Sequence, residues 1–347
     1  MKYNQLGRTG LFVSELCLGT MTFGGNADAG YWAAMGGVKQ DEVDKLVARA
    51  VAAGINFIDT ANVYSNGESE RIVGRSLRNL SINRSDIVIA TKQALPMGTG
   101  PNAQGASRGH IMDSVKASLE RLQLDHIDLY QIHANDCVTP IEETMRALDD
   151  LVSEGLVRYV GVSNWRAGKI ATALGVSAAS RYVRFETLQA YYSIAGRDIE
   201  REHVHVLNDE QMGLLVWSPL AGGMLSGKFS RENASPEDSR RTSFDYPVMD
   251  MERTWNCIDA MRKVADAHGV SVARIALAWL LAKSHVTSVI IGAKRMDQLE
   301  DNIAATDIVL TADEMATLDD VSKLSLEYGD WVTGIDQSRR PAPFVPA

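Results

Sequence analysis

The tightest constraint on this chain is a rhythm: from residue 16 onward, short apolar runs alternate with helical stretches of ten or more residues. That alternation marks β/α units. Runs at 16–18, 56–58, 87–91, 128–132, 159–162, 185–188, 214–217 and 288–291 read as eight strands. The helical stretches are 41–53, 68–79, 109–122, 141–154, 165–174, 199–211, 271–282 and 296–304. Within the first, Val43, Leu46, Val47, Ala50 and Val51 share one stripe, and Asp41 and Glu42 sit at its N-terminal end, where the helix dipole favours acids. Eight strands, each followed by a helix, predict an α/β fold of the (β/α)8 TIM-barrel class. A doubly wound open sheet is the weaker choice, since it usually has fewer strands.

Residues 1–15 read as an N-terminal β-hairpin turning through Gly7-Arg8-Thr9-Gly10. No break in composition divides the chain, so 1–347 is expected to form one barrel domain. Residues 221–252 form a Gly-, Arg- and Ser-rich loop insertion before an extra helix at 252–268, and 322–347 form a tail without a clear period. Both are expected to be substrate-side loops, as is the stretch around Tyr31 and Trp32.

The formal charge of −9 argues against nucleic acid as a main partner, yet leaves room for a small anionic cofactor held by a local basic cluster. No apolar run approaches the roughly 18 residues of a membrane span, and the start lacks the apolar core of a signal peptide. Cys17, Cys137 and Cys257 are far apart, with no CxxC pair, which fits a reducing compartment and excludes a zinc ribbon. A cytoplasmic protein without metal is expected. Nothing in the sequence marks an oligomer interface.

Polar residues at the ends of strands two to four carry the functional signal. Asp59 closes Asn56-Phe57-Ile58-Asp59, with Tyr64 five residues on; Lys92 ends the third run, and His133 the fourth. Active sites of parallel barrels form where strands finish. Singly, each residue has an ordinary reading: a cap, a packed ring, a solvated lysine, a core histidine. Together on successive strands they suit hydride transfer to a carbonyl, which leaves negative charge on oxygen and needs a proton donor. A phenol, which ordinarily titrates at about pH 10, is a weak acid, but a neighbouring ammonium favours its phenolate. Tyr64 would then be the proton donor, Lys92 its tuner, Asp59 the partner holding Lys92 charged, and a neutral His133 the orienter of the carbonyl.

The segment Asp59-Thr60-Ala61-Asn62-Val63-Tyr64 resembles the aldo-keto reductase signature D-T-A-x-x-Y, and Lys92 and His133 match the rest of that family's tetrad. The likeness continues through Gly161-Val162-Ser163-Asn164, Trp217-Ser218-Pro219-Leu220 and Ile291-Gly292-Ala293-Lys294-Arg295, and covers residues 1 to about 321. It implies a nicotinamide cofactor lying across the barrel top. By that resemblance, Ser163, Asn164 and Gln189 hold the carboxamide and Trp217 stacks on the ring. Gly19, Thr20, Met21 and Asp59 border the cofactor; Ser218, Pro219, Leu220, Gly222 and Lys228 strap the pyrophosphate. Gly292, Ala293, Lys294, Arg295, Gln298, Asp301 and Asn302 take the adenosine phosphate. The adjacent cations Lys294 and Arg295 suit a 2′-phosphate, which favours NADP(H) while NAD(H) stays open.

Many family members follow the tyrosine with Gly; Ser65-Asn66-Gly67 stands here. Gly98-Thr99-Gly100 is read as a loop over the site, and His203 and His205 as surface residues and a poor metal pair. The expected function is an NADPH-dependent aldehyde or ketone reductase acting on a small molecule. The alternative is a cofactor-sensing regulatory subunit resembling potassium-channel β subunits.

Overall fold

The computed structural model describes residues 1–25, 36–236, 241 and 245–333. Tyr31, Trp32 and most of the tail lie outside the described residues. Strands β1 (Tyr3–Gln5) and β2 (Phe12–Ser14) pair antiparallel as the expected hairpin. Eight parallel strands then close into a barrel: β3 (Leu16–Gly19), β4 (Phe57–Asp59), β5 (Val88–Gln93), β6 (Ile127–Ile132), β7 (Val157–Ser163), β8 (Phe185–Tyr191), β9 (Gly213–Trp217) and β10 (Val286–Ile291). Strand β10 pairs with β3 to complete the ring. This is the TIM barrel that the rhythm predicts.

The helices between the strands are α1 (Gln40–Ala52), α2 (Glu68–Asn79), α3 (Arg108–Leu122), α4 (Ile141–Ser153), α5 (Ala167–Ser180) and α6 (His203–Glu210). The rest are α7 (Met251–His268), α8 (Val272–Leu281), α9 (Met296–Ile303), α10 (Ala312–Val321) and the short α11 (Asp330–Thr333). Three expectations need correction. Helix α5 runs to Ser180 rather than 174; the insertion ends at Asp250, where that carboxylate caps α7; and α10 is additional to the expected helices. Thr311 and Glu314 form a full capping box ahead of α10. No single helix among the described residues is long and apolar enough to cross a membrane.

Side chains alternate between faces along each strand, and this sorts the barrel by height. Phe57, Val88, Ala90, Leu129 and Leu215 form an apolar interior cluster with Cys17 and Ile290. Leu6 and Val13 from the hairpin join it, both fully buried, so the hairpin plugs one end. Burying each large apolar side chain contributes about 1.5–3 kcal/mol. One step further along β4, β5, β6 and β8 the inward positions turn polar: Asp59, Lys92, Gln131 and Gln189, all buried. The outward positions, such as Ile58, Ile89 and Ile132, pack under the helices in the main core.

Candidate active site

Four elements deliver the strand-end residues to one place. Asp59 is the last residue of β4, Lys92 the next-to-last of β5, and His133 follows β6, its N–H donating to Gln93 O at 2.7 Å. Tyr64 begins a 3-10 turn, Tyr64–Gly67, in which Ser65, Asn66 and Gly67 all take left-handed φ values of 48°, 54° and 86°. Asn and Gly tolerate that region well, and Ser65 Oγ donates to Phe23 O at 3.1 Å. The unusual Ser-Asn-Gly therefore makes a tight turn after Tyr64.

Lys92 is completely buried, and its ammonium has three partners. It donates to Asp59 Oδ2, to Thr60 O at 2.8 Å and to the Tyr64 hydroxyl at 3.4 Å. Burial alone would lower its pKa, but Asp59 and then Tyr64 outweigh that and hold it above the ordinary lysine value. The amine is therefore charged at neutral pH. His133 meets Tyr64 edge-on, with ring centroids 5.8 Å apart at 79°. Burial, and then the Lys92 charge, hold its imidazole well below the ordinary value, so it is neutral. Its Nδ1 is a buried atom without a protein partner. Cys17, inside the same barrel, has its thiol pushed up by burial and by Asp59, which leaves it a protonated core residue.

The residues assigned to the carboxamide cluster beside this tetrad. Asn164 has φ 59° and donates through Nδ2 to His133 O and to Ser163 Oγ, both at 3.0 Å. Its Oδ1 accepts from Trp217 Nε1 at 3.0 Å, which fixes the indole. Gln189 Nε2 donates to Asp59 Oδ1 at 2.8 Å. The Trp217 ring is flanked by Tyr191 at 5.3 Å and is stacked with Tyr246 at 5.7 Å and 10°.

The strap follows β9. Ser218 and Gly222 take positive φ values, and Gly222 N donates to Ser218 Oγ at 2.9 Å. Pro219 is buried, Leu220 half-buried and Lys228 exposed. Arg241 reaches Ala221 O at 3.2 Å and also meets Asp245, joining the two sides of the insertion. At the barrel rim, Gly19 has no room for a side chain, since a Cβ would lie 2.6 Å from Ile290. Thr20 is buried and bonded by Ser69 Oγ, and Met21 is half-buried.

After β10, Gly292 has open space where a Cβ would stand. Ala293 is buried, while Lys294 and Arg295 are exposed just before α9. Lys294 N donates to Gln298 Oε1 at 2.9 Å, Arg295 is forked onto Asp297 at 2.9 and 2.8 Å, and Asn302 reaches Gly292 O. Asp301 is committed to Ser271 and Arg274, both at 2.7 Å. A glycine with open space and two exposed cations at a helix start fit a nucleotide phosphate, and the polar amides beside a half-exposed indole fit a flat ring that carries an amide. No metal-binding cluster occurs among the described residues.

One surface reading changes, that of His203. His203 is half-buried, with Nε2 2.9 Å from Trp165 O, so it is part of the packing; His205 is exposed. Residues 98–100 sit in a loop closed by Met97 N to Ala103 O and Ala103 N to Gly100 O. Its flank, with Asn62 and Arg121, lines an open cavity of about 470 Å³. Sequence reasoning misses Gln131, which donates to Asp59 Oδ1 at 3.2 Å. Its only signal is a polar residue inside an apolar run.

A family model for the aldo/keto reductase family matches residues 15–323. A probable voltage-gated potassium channel subunit beta from Oryza sativa is 36% identical over 315 residues, covering 89% of this chain and 92% of its own. The uncharacterized oxidoreductase YrpG of Bacillus subtilis is 35% identical, covering 92% and 96%. The versiconal hemiacetal acetate reductase of Aspergillus parasiticus is 34% identical, with the same coverage of both chains.

Proposed function

Because the chain belongs to the aldo/keto reductase family and is an oxidoreductase acting on carbonyl or CH–OH groups, we propose that it is an NADPH-dependent reductase of small aldehydes and ketones, reversible as an alcohol dehydrogenase. The observation that carries this reading is the buried Lys92 ammonium, held between Asp59 and the Tyr64 hydroxyl. The bound cofactor supplies the hydride. Tyr64 gives its hydroxyl proton to the carbonyl oxygen as charge develops there, and the ammonium stabilises the phenolate left behind. Neutral His133 donates a hydrogen bond to the same oxygen and orients it. In the reverse direction the phenolate takes the alcohol proton.

Ser163, Asn164 and Gln189 are proposed to seat the carboxamide and Trp217 to shield one ring face. Lys294 and Arg295 are proposed to take the 2′-phosphate. Lys294 stands exposed at the start of α9, where the helix dipole and its ammonium favour the same anion. Lys294→Ala should therefore raise the Kd for NADPH about 10- to 100-fold, the size of a charge-assisted contact, and leave that for NADH almost unchanged. Equal losses for both cofactors, read by fluorescence titration, would remove the phosphate assignment.

A neutral His133 also predicts a pH profile. A depressed histidine contributes stability that is present above its unfolded pKa, about 6.5, and is lost as pH falls below it. The reduction rate should therefore be flat from about pH 6 to 8, and the His133 contribution to stability should decline only on the acid side. A rate limb near neutrality that disappears in His133→Gln would contradict the neutral assignment.

The relative named as a channel subunit supports a second reading, in which cofactor occupancy is the signal. Tyr64→Phe separates the two: lost turnover with retained cofactor binding supports the reductase, while no turnover in either form supports the subunit.

A further inference from the structure

Asp59 has two carboxylate oxygens, and Lys92 uses Oδ2. Oδ1 accepts from Gln189 Nε2 at 2.8 Å and from Gln131 Nε2 at 3.2 Å, while Gln189 Nε2 also approaches Gln131 Oε1 at 3.4 Å. A carboxylate only accepts, so both amides must turn their nitrogens to it, and Gln131 then presents its oxygen to Gln189. Gln131 is 0% and Gln189 3% exposed, so bulk water does not compete for these groups. Gly161, the register partner of Gln131 on β7, leaves the space for this arrangement. A Cβ there would lie 3.2 Å from Gln131 Cγ and 2.2 Å from Thr187 Oγ1.

We infer that Gln131 is a positioning residue for hydride transfer: it bridges the Asp59–Lys92 pair to Gln189, so that the tuning pair and the carboxamide seat are held as one unit. The inference rests on the reading of Tyr64 as proton donor. Gln189 has two N–H donors, one on Asp59 and the other loosely on Gln131. The loose one is the cheaper to release toward a bound carboxamide. Gln131 then remains the second fixed donor on Oδ1, and a buried carboxylate short of donors is costly. The other groups around Asp59 that titrate are Lys92 from β5, Tyr64 from the turn after β4 and Cys17 from β3, with His133 from β6 against Lys92.

Gln131→Met keeps the volume and removes both amide functions. It is expected to lower kcat about tenfold, the size of one hydrogen bond to a charged group, with KM for NADPH changed less than about threefold. The alkaline limb of carbonyl reduction, where the Tyr64 proton is lost, should shift by about half a pH unit or more. In an Asp59→Asn background the same substitution should add less than about twofold, because both act through one carboxylate. Gln131→Glu should lose activity at neutral pH and regain part of it on acidification, as the introduced carboxyl becomes a donor. An unmoved limb with full additivity to Asp59→Asn would overturn the inference, leaving Gln131 a packing residue. Wild-type turnover by Tyr64→Phe would instead overturn the parent reading, so the two failures are distinct.

Discussion

Replacing Tyr64 by Phe is expected to lower kcat for carbonyl reduction about 10²- to 10⁴-fold, the usual weight of a positioned general acid, with Kd for NADPH within about twofold of wild type. The reasoning is local. Phe keeps the ring, its edge-on contact with His133 and the left-handed turn that follows, so the site keeps its shape. Only the hydroxyl 3.4 Å from Lys92 Nζ is lost. Neither His133, which is neutral, nor Lys92, whose proton is held by Asp59, offers an equivalent acid. The KM-against-kcat split is the measurement. A variant with wild-type kcat would remove Tyr64 from the chemistry, and equal losses in binding and turnover would indicate collapse of the site.

The second large effect concerns Lys92. Lys92→Met leaves the Asp59 carboxylate buried without its counter-ion, and removing one member of a buried pair destabilises by about 3–5 kcal/mol. Turnover should fall at least as far as in Tyr64→Phe, because the ammonium that favours the phenolate is gone. The pH dependence of stability has a definite sign. A lysine raised above its unfolded value contributes fully below about pH 10.4 and loses that contribution as pH climbs through the higher folded value. Denaturant unfolding should therefore show this contribution constant at neutral pH and falling only in strong alkali. Asp59→Asn/Lys92→Met, which removes both charges, should be more stable than Lys92→Met alone; if the double variant is less stable, the pair is not the source of the effect.

The barrel is legible because eight apolar runs have no other economical arrangement, and the tetrad because Asp59, Lys92 and His133 stand at or next to strand ends, with Tyr64 five residues beyond Asp59. The rest needs information that only three dimensions supply. Gln131 looks like a polar interruption of an apolar strand, and its partners lie 72 and 58 residues away in the chain. Glu70 reads as an ordinary charged helix residue, yet it is buried, bonded to Arg121 at 2.6 Å and to Thr91 Oγ1 at 2.6 Å. The pattern places the end of α5 too early because Val176-Ser177-Ala178-Ala179-Ser180 has little amphipathic contrast; Ser177 instead turns back to Ala173 O and Val183 O. Helix α10 has a local signal in Thr311-Ala312-Asp313-Glu314, which the irregular tail beyond it outweighs.

In the proposed reaction this barrel moves a hydride onto a carbonyl carbon while Tyr64 supplies the proton. Incubating the wild-type protein with NADPH deuterated at the transferring position and a panel of aldehydes and ketones tests it most directly, by mass spectrometry of the products. At least one product alcohol is expected to carry the deuterium on its carbinol carbon, formed in proportion to cofactor consumed and abolished by Tyr64→Phe. Cofactor that binds tightly yet keeps its label against the whole panel would contradict it.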